Sequence, residues 1–299
     1  MKHPLSKILA TLCFAAGVMV APAVEMTGSL LYSGLTESGW QVCLLDLASG
    51  QTRPLTSSPG DKRRPFYLAE AGAVVCKDSM GRALAWKGGK EEVLSGDVLS
   101  AGDLWFLSNG KEWYFTRLAT NNPQRQFIWH RKADDPGAES QLVLRMEKGS
   151  LRQIALSPDG QWAAATHLWR VGEERILVFP LATPEKYRYL TPELRVAFSP
   201  TWAADGKSLL FSMQGEGSQA DFDLQRVSVD DARIEPLKRI EGSSEWFPSE
   251  DSSGRWVFFE ENREGRSSLG ALDTMTGKVV AIPLPHQGRE PFWVSKIEP

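Results

Sequence analysis

The sequence predicts an all-β fold, a β-propeller of six four-stranded antiparallel blades, on three observations. A turn glycine followed by an apolar strand recurs at Gly28, Gly72, Gly110, Gly160, Gly206 and Gly254, at intervals of 44, 38, 50, 46 and 48 residues. A period in the forties is that of a propeller blade, a small sheet of about four short strands. Within each period the pattern is strand, polar turn, strand, and no long stretch shows the periodicity of an amphipathic helix. The two ends of the chain are complementary: Gly28 lacks an inner strand before it, and GREPFWV, from Gly288, is an inner strand with no turn after it.

The first 23 residues, MKHPLSKILATLCFAAGVMVAPA, stand apart and read as a cleaved signal peptide. Lys2 and Lys7 precede an apolar core from Ile8 to Val20, too short to span a membrane, and Ala21-Pro22-Ala23 fits the small-x-small cleavage rule. Leu12 stands before Cys13 where a lipidated cysteine needs a small residue. The chain is therefore expected in the periplasm or outside the cell, with residues 24–299 as one propeller domain. No other stretch approaches the ~18 apolar residues of a spanning helix, so no membrane insertion is expected. Without Lys2 and Lys7, 32 basic residues face 37 acidic ones, a balance that recruits neither nucleic acid nor an anionic membrane.

The elements follow in order. SLLYS after Gly28 opens a hairpin that returns as VCLLDL and ends in the short strand RPLT. RRPFY leads into Gly72, AVVC and ALAW follow, and DLWF leads into Gly110 before KEWYF and FIWHRK. LSPDGQWAAA carries the fourth turn, with ILVFPL and RYLT after it; FSPTWAADGKSLLFS carries the fifth, followed by DLQRVSV. EWFP leads into the sixth, where RWVFFE and LGALD form the hairpin. The Asp-Gly and Asn-Gly turns have a mechanism, since glycine takes positive φ and Asx side chains bond their own backbone. GREPFWV is expected to pair with the first hairpin, closing the ring and removing its sheet edges. Trp105, Trp202, Trp246 and Trp293 fall near inner-strand ends and Trp40, Trp86, Trp113, Trp129, Trp162 and Trp256 in hairpins, where large aromatics fill the widening gaps between blades. Cys43 and Cys76 sit in apolar strand segments, which favours two buried thiols over the bridge that an exported chain could form.

Pro200, Trp202, Asp205 and Gly206, and again Ser157, Pro158, Asp159 and Gly160, resemble the repeat of the TolB-type propeller family, P-x-W-S-P-D-G before a strand. In the first of these Ala203-Ala204 replaces the Ser-Pro, and Thr27-Gly28, Ala71-Gly72, Asn109-Gly110 and Ser253-Gly254 keep only the turn. The family's namesake carries an α/β domain before its propeller, whereas here about four residues separate the cleavage site from the first turn. The resemblance implies a periplasmic scaffold that binds another protein at one mouth of the ring.

Catalytic signatures are sparse. No G-x-S-x-G nucleophile elbow occurs. His130, His167 and His286 come from different blades with no metal-ligand spacing, and no acidic loop of EF-hand type is present, so no metal or cofactor is expected. Arg64, Arg152, Arg195 and Arg289 stand near the start of inner strands, at spacings of 88, 43 and 94 residues, close to two, one and two blade periods. In that register four guanidinium groups approach one mouth and suit a carboxylate-bearing partner, while Glu245 and Glu290 offer competing ion pairs. Arg64, Arg152, Arg195, Glu245 and Arg289 are the candidate binding residues. The function expected is a monomeric, non-catalytic exported scaffold for a protein or peptide partner in the cell envelope. The alternative is a lyase-like enzyme or binder acting on a polysaccharide through mouth histidines, carboxylates and tryptophans.

Overall fold

A computed structural model describes residues 26–95, 112–119, 122–132, 139–216 and 221–297. The signal-peptide reading, the Gly110 turn and the segment holding Trp105 lie outside the described residues. The first sheet has β1 (Ser29–Thr36), β2 (Gly39–Asp46) and β3 (Thr52–Pro54); the second has β4 (Lys62–Leu68), β5 (Ala73–Asp78), β6 (Ala83–Lys87) and β7 (Lys90–Ser95). The third has β8 (Glu112–Ala119), β9 (Asn122–Lys132) and β10 (Gln141–Leu144). The fourth has β11 (Ser150–Leu156), β12 (Trp162–Arg170), β13 (Glu173–Pro180) and β14 (Arg188–Tyr189), and the fifth β15 (Ala197–Trp202), β16 (Ser208–Gln214), β17 (Phe222–Ser228) and β18 (Ile234–Lys238). The sixth has β19 (Ser244–Glu250), β20 (Trp256–Arg263), β21 (Arg266–Asp273) and β22 (Lys278–Ile282), and β23 (Gly288–Val294) follows.

Six antiparallel sheets result, five of them four-stranded and the third with three described strands. The last strand completes the first sheet in the order β23-β1-β2-β3, with Leu30 opposite Trp293 and Leu31 opposite Phe292. The ring is thus a six-bladed β-propeller latched where the ends of the chain meet.

The core explains why the blades stand in a circle. It divides into six clusters, and each draws its buried side chains from two neighbouring sheets. Leu210 and Leu224 of the fifth sheet meet Val257, Phe259 and Leu272 of the sixth, and Leu30, Tyr32 and Cys43 of the first meet Phe258 and Leu269 of the sixth. Strands buried on both faces read as continuous apolar runs, as SLLYS and RWVFFE do. Each such side chain contributes about 1.5–3 kcal/mol of burial. Trp86, Trp113, Trp202 and Trp256 are buried in these seams, the packing role expected of them. Cys43 and Cys76 are both buried free thiols.

The turns follow the expected chemistry. Gly206 has φ 63°, and Asp205 accepts from the Lys207 and Ser208 amides at 2.8 and 3.0 Å. Asp251 does the same for Arg255 and Trp256 ahead of the next blade.

Candidate functional site

The inner strands β23, β4, β11, β15 and β19 surround the axis, and each carries a β-bulge. At the bulge stand Glu290, Arg64, Gln153, Ser199 and Phe247, all with φ between 52° and 57°, a region costly for residues with a Cβ. The register shifts across each of these positions. Pro291, Pro65, Pro200 and Pro248 follow in four of the five cases.

Side chains from one blade hold the bulge of the next. Glu290 Oε2 accepts from the Arg64 amide at 2.7 Å and from the Ser33 hydroxyl at 3.0 Å. Gln153 Oε1 does the same one half-ring away, accepting from the Ser199 amide at 2.9 Å and the Thr166 hydroxyl at 2.8 Å. Glu260 Oε2 in turn accepts from the Glu290 amide at 3.2 Å. At Arg64, Ser199 and Glu290 the left-handed backbone is supported by an acceptor on a neighbouring blade that holds the amide.

Charge is concentrated at the seam that closes the ring. Burial pushes the Glu290 carboxyl up, but the Arg63 and Arg64 guanidinium groups outweigh it and hold the group below the ordinary carboxylate range. Arg63 Nη2 lies 3.0 Å from Glu290 Oε1, and Arg64 Nε 3.7 Å. Glu260, also buried, is pushed up to about 7 by desolvation, with the neighbouring Glu290 adding to the rise.

The structure separates the predicted residues. Arg64 occupies a bulge position, whereas Arg152 and Arg289 stand one residue before theirs, and Arg195 lies four residues before Ser199, ahead of β15. Arg289 and Arg63 both stack on Trp40, at 4.4 and 5.5 Å from the ring centroid, and Arg289 lies 3.7 Å from Glu260. Arg152 pairs with Glu174 at 2.8 Å. Arg195 donates to the Gln214 carbonyl at 2.6 Å, and its own carbonyl accepts from the Glu174 amide. Two groups result, one at the closing seam and one beside Glu174. Glu245 is fully buried in β19 against the fifth blade: desolvation pushes it up to about 8, the Ser243 hydroxyl lowers it only in part, and Asp223 and Glu261 raise it. Arg63 and Gln153 belong to this machinery and were not foreseen; Pro65 two residues on marks the strand of Arg63, whereas Gln153 is followed by Ile154 and carries no such signal.

The axial channel narrows at the bulges. A cavity of about 60 Å³ remains there between Arg64, Phe247, Glu290 and the prolines, with the Arg64 guanidinium 5.9 Å from the Phe247 ring centroid. Beyond this waist, where the inner strands end, the channel opens into a mouth of about 250 Å³. Among the described residues five blades line it, through Phe66 and Tyr67, Ile154 and Leu156, Thr201 and Trp202, Ser249 and Glu250, and Phe292 and Trp293. Among the described lining residues the one carboxylate, Glu250, is paired with Arg226 and accepts from the Ala204 amide at 2.6 Å. The mouth is therefore aromatic and aliphatic. Its chemistry suits apolar side chains. Among the described residues no group of three or more His, Cys, Asp or Glu is placed to hold a metal ion. His130 lies in β9, His167 in β12 and His286 before β23, on separate blades.

No family model and no curated protein matches the sequence. Solved structures match the fold. TolB from Acinetobacter baumannii superposes with a TM-score of 0.72 at 18% identity, covering 89% of this chain and 66%, just under two thirds, of that one. A putative TolB from Agrobacterium tumefaciens superposes at 0.70 with 15% identity, covering 89% and 91%. Oligogalacturonate lyase from Vibrio parahaemolyticus superposes at 0.57 with 12% identity, covering 85% and 74%. The likeness is one of fold, a TolB-like six-bladed propeller that enzymes share.

Proposed function

We propose that the protein is an exported, non-catalytic scaffold that binds an extended segment of a protein partner in the cell envelope, at the mouth where its inner strands end. The observation that carries this reading is that mouth: about 250 Å³, walled by five blades, aromatic, with its carboxylate already paired. Interfaces gain most of their energy from a few buried aromatic and aliphatic anchors in such settings, and a cavity of this size accepts one or two side chains rather than a folded surface. Export rests on the sequence of the first 23 residues. The resemblance at Pro200, Trp202, Asp205 and Gly206 and the TolB-like fold support a binding role.

The test compares the aromatic mouth with the arginine group beside Glu174. A photo-crosslinking residue placed at Thr201 samples the aromatic mouth, and one at Arg195 samples the group beside Glu174. Partner captured from envelope extract through Thr201, and lost with Leu156→Glu, is the expected result. Capture through Arg195 alone, abolished by the Arg152→Ala/Arg195→Ala double variant, would transfer the site to the arginines. No capture at either position sinks the binding reading.

A further inference from the structure

Away from the axis, the fourth blade holds a second cleft of about 560 Å³, within the range of about 300–1,000 Å³ typical of small-molecule sites. Its floor is His167, fully buried in β12. The Lys148 carbonyl can only accept, so His167 Nε2–H donates to it at 2.9 Å, and Nδ1 is left to accept from the Tyr189 hydroxyl at 2.7 Å. Burial holds the imidazole below its ordinary pKa, which keeps this neutral tautomer. With its proton committed to His167, the Tyr189 oxygen presents lone pairs alone to the cleft.

The walls supply the opposite chemistry in balance. Arg175 stacks on Tyr189 at 3.8 Å and pairs with Glu193 at 3.1 Å, and Arg170 pairs with Glu173 at 3.0 Å. Lys148 lies 5.5 Å over the Trp169 ring, and Glu147 also lines the cleft. Three cations thus face three carboxylates, so neither an anion nor a cation finds an excess of opposite charge. At the rim Trp169 and Tyr187 are 41% and 38% exposed, large for aromatic rings that could have been buried. Donors and acceptors side by side suit groups that both give and receive a hydrogen bond, and an exposed aromatic ring suits an apolar face. A sugar ring combines the two.

We propose that the fourth-blade cleft binds a short neutral oligosaccharide, stacked at Trp169 and donating a hydroxyl to Tyr189. The site is separate from the axial mouth and involves no bond cleavage. Saturation-transfer NMR with maltotriose, cellotriose and chitotriose, each at about 10 mM, tests it in the millimolar affinity range. At least one trisaccharide should show transfer, with affinity falling about tenfold in Trp169→Ala and several-fold in Tyr189→Phe. Circular dichroism and thermal melting check that the variants fold, and Tyr187→Ala replaces Trp169→Ala if the latter does not. No transfer from any of the three sugars, or transfer that the rim variant leaves unchanged, overturns the proposal. So does binding of triglutamate at this cleft in their place.

Discussion

Glu290 ties the last strand to the second blade. It lies on the last strand, yet it holds the Arg64 bulge amide and the Arg63 and Arg64 guanidinium groups of the second blade. Glu290→Gln keeps the shape and leaves two guanidinium groups without their counter-charge. Breaking a fully buried pair from one side costs about 3–5 kcal/mol; the guanidinium groups here are 35% and 21% exposed and keep part of their hydration, so the loss is smaller, and a denaturant midpoint equal to wild type would contradict the latch. Glu245 gives the reverse case. Its folded pKa of about 8 lies above the ordinary value of 4.5, so the native state binds the extra proton between those values and stability falls as pH rises through that window. Glu245→Gln imitates the protonated carboxyl and should be less sensitive to pH there. Above pH 8 the variant should exceed wild type by about 1 kcal/mol or more, read from urea unfolding at pH 5 and pH 9. Equal stabilities at both values would remove the argument.

At the scale of the element, the inner-strand bulge is the repeated device. Gln153 holds its blade's neighbour as Glu290 does, through a neutral amide where no arginine pair is present. Gln153→Ala leaves the Ser199 amide and the Thr166 hydroxyl without their acceptor, a loss of about 1–3 kcal/mol. Hydrogen exchange should show it as reduced protection in β15 before any change in β1. The strand pair β20–β21 has a different constraint. Gly270 lies opposite Phe259, and an added Cβ would stand 2.5 Å from the ring's Cζ. Gly270→Ala should therefore lose about 1–3 kcal/mol by overpacking, despite the gain a Cβ normally brings to a strand. An unchanged melting temperature would mean that the ring can turn aside.

At the scale of the molecule, six seams close on themselves, so the terminal strand stabilises every blade indirectly. Ending the chain after Gln287 removes β23, exposes the edge of β1 and deletes the Glu290 latch together. Exposed edges template association. The truncated chain should elute as oligomers and lose its cooperative transition, measured by size exclusion and circular dichroism. A monomer melting within a few degrees of wild type would show that closure is dispensable.

The blade count, the described turns and the closure were legible because they are local or periodic. Asp205-Gly206 makes its turn from two adjacent residues, and a period in the forties needs only spacing. The register of the arginines was not legible. Each bulge inserts a residue, so Arg64 reaches the waist while Arg152 and Arg289 stop one position short, and a single step in a strand exchanges one face for the other. Nothing in Arg64, Gln153 or Phe247 favours a left-handed backbone, and the oxygen that holds the Gln153-bound amide lies 46 residues from it. The cleft at Trp169 likewise joins residues from β12, β13, β14 and the segments beside them. The sequence by itself thus determined how many sheets form, where they turn and which strand completes the ring. Only the tertiary structure decided which charges are neutralised and which cavities stay open, because those depend on contacts between blades.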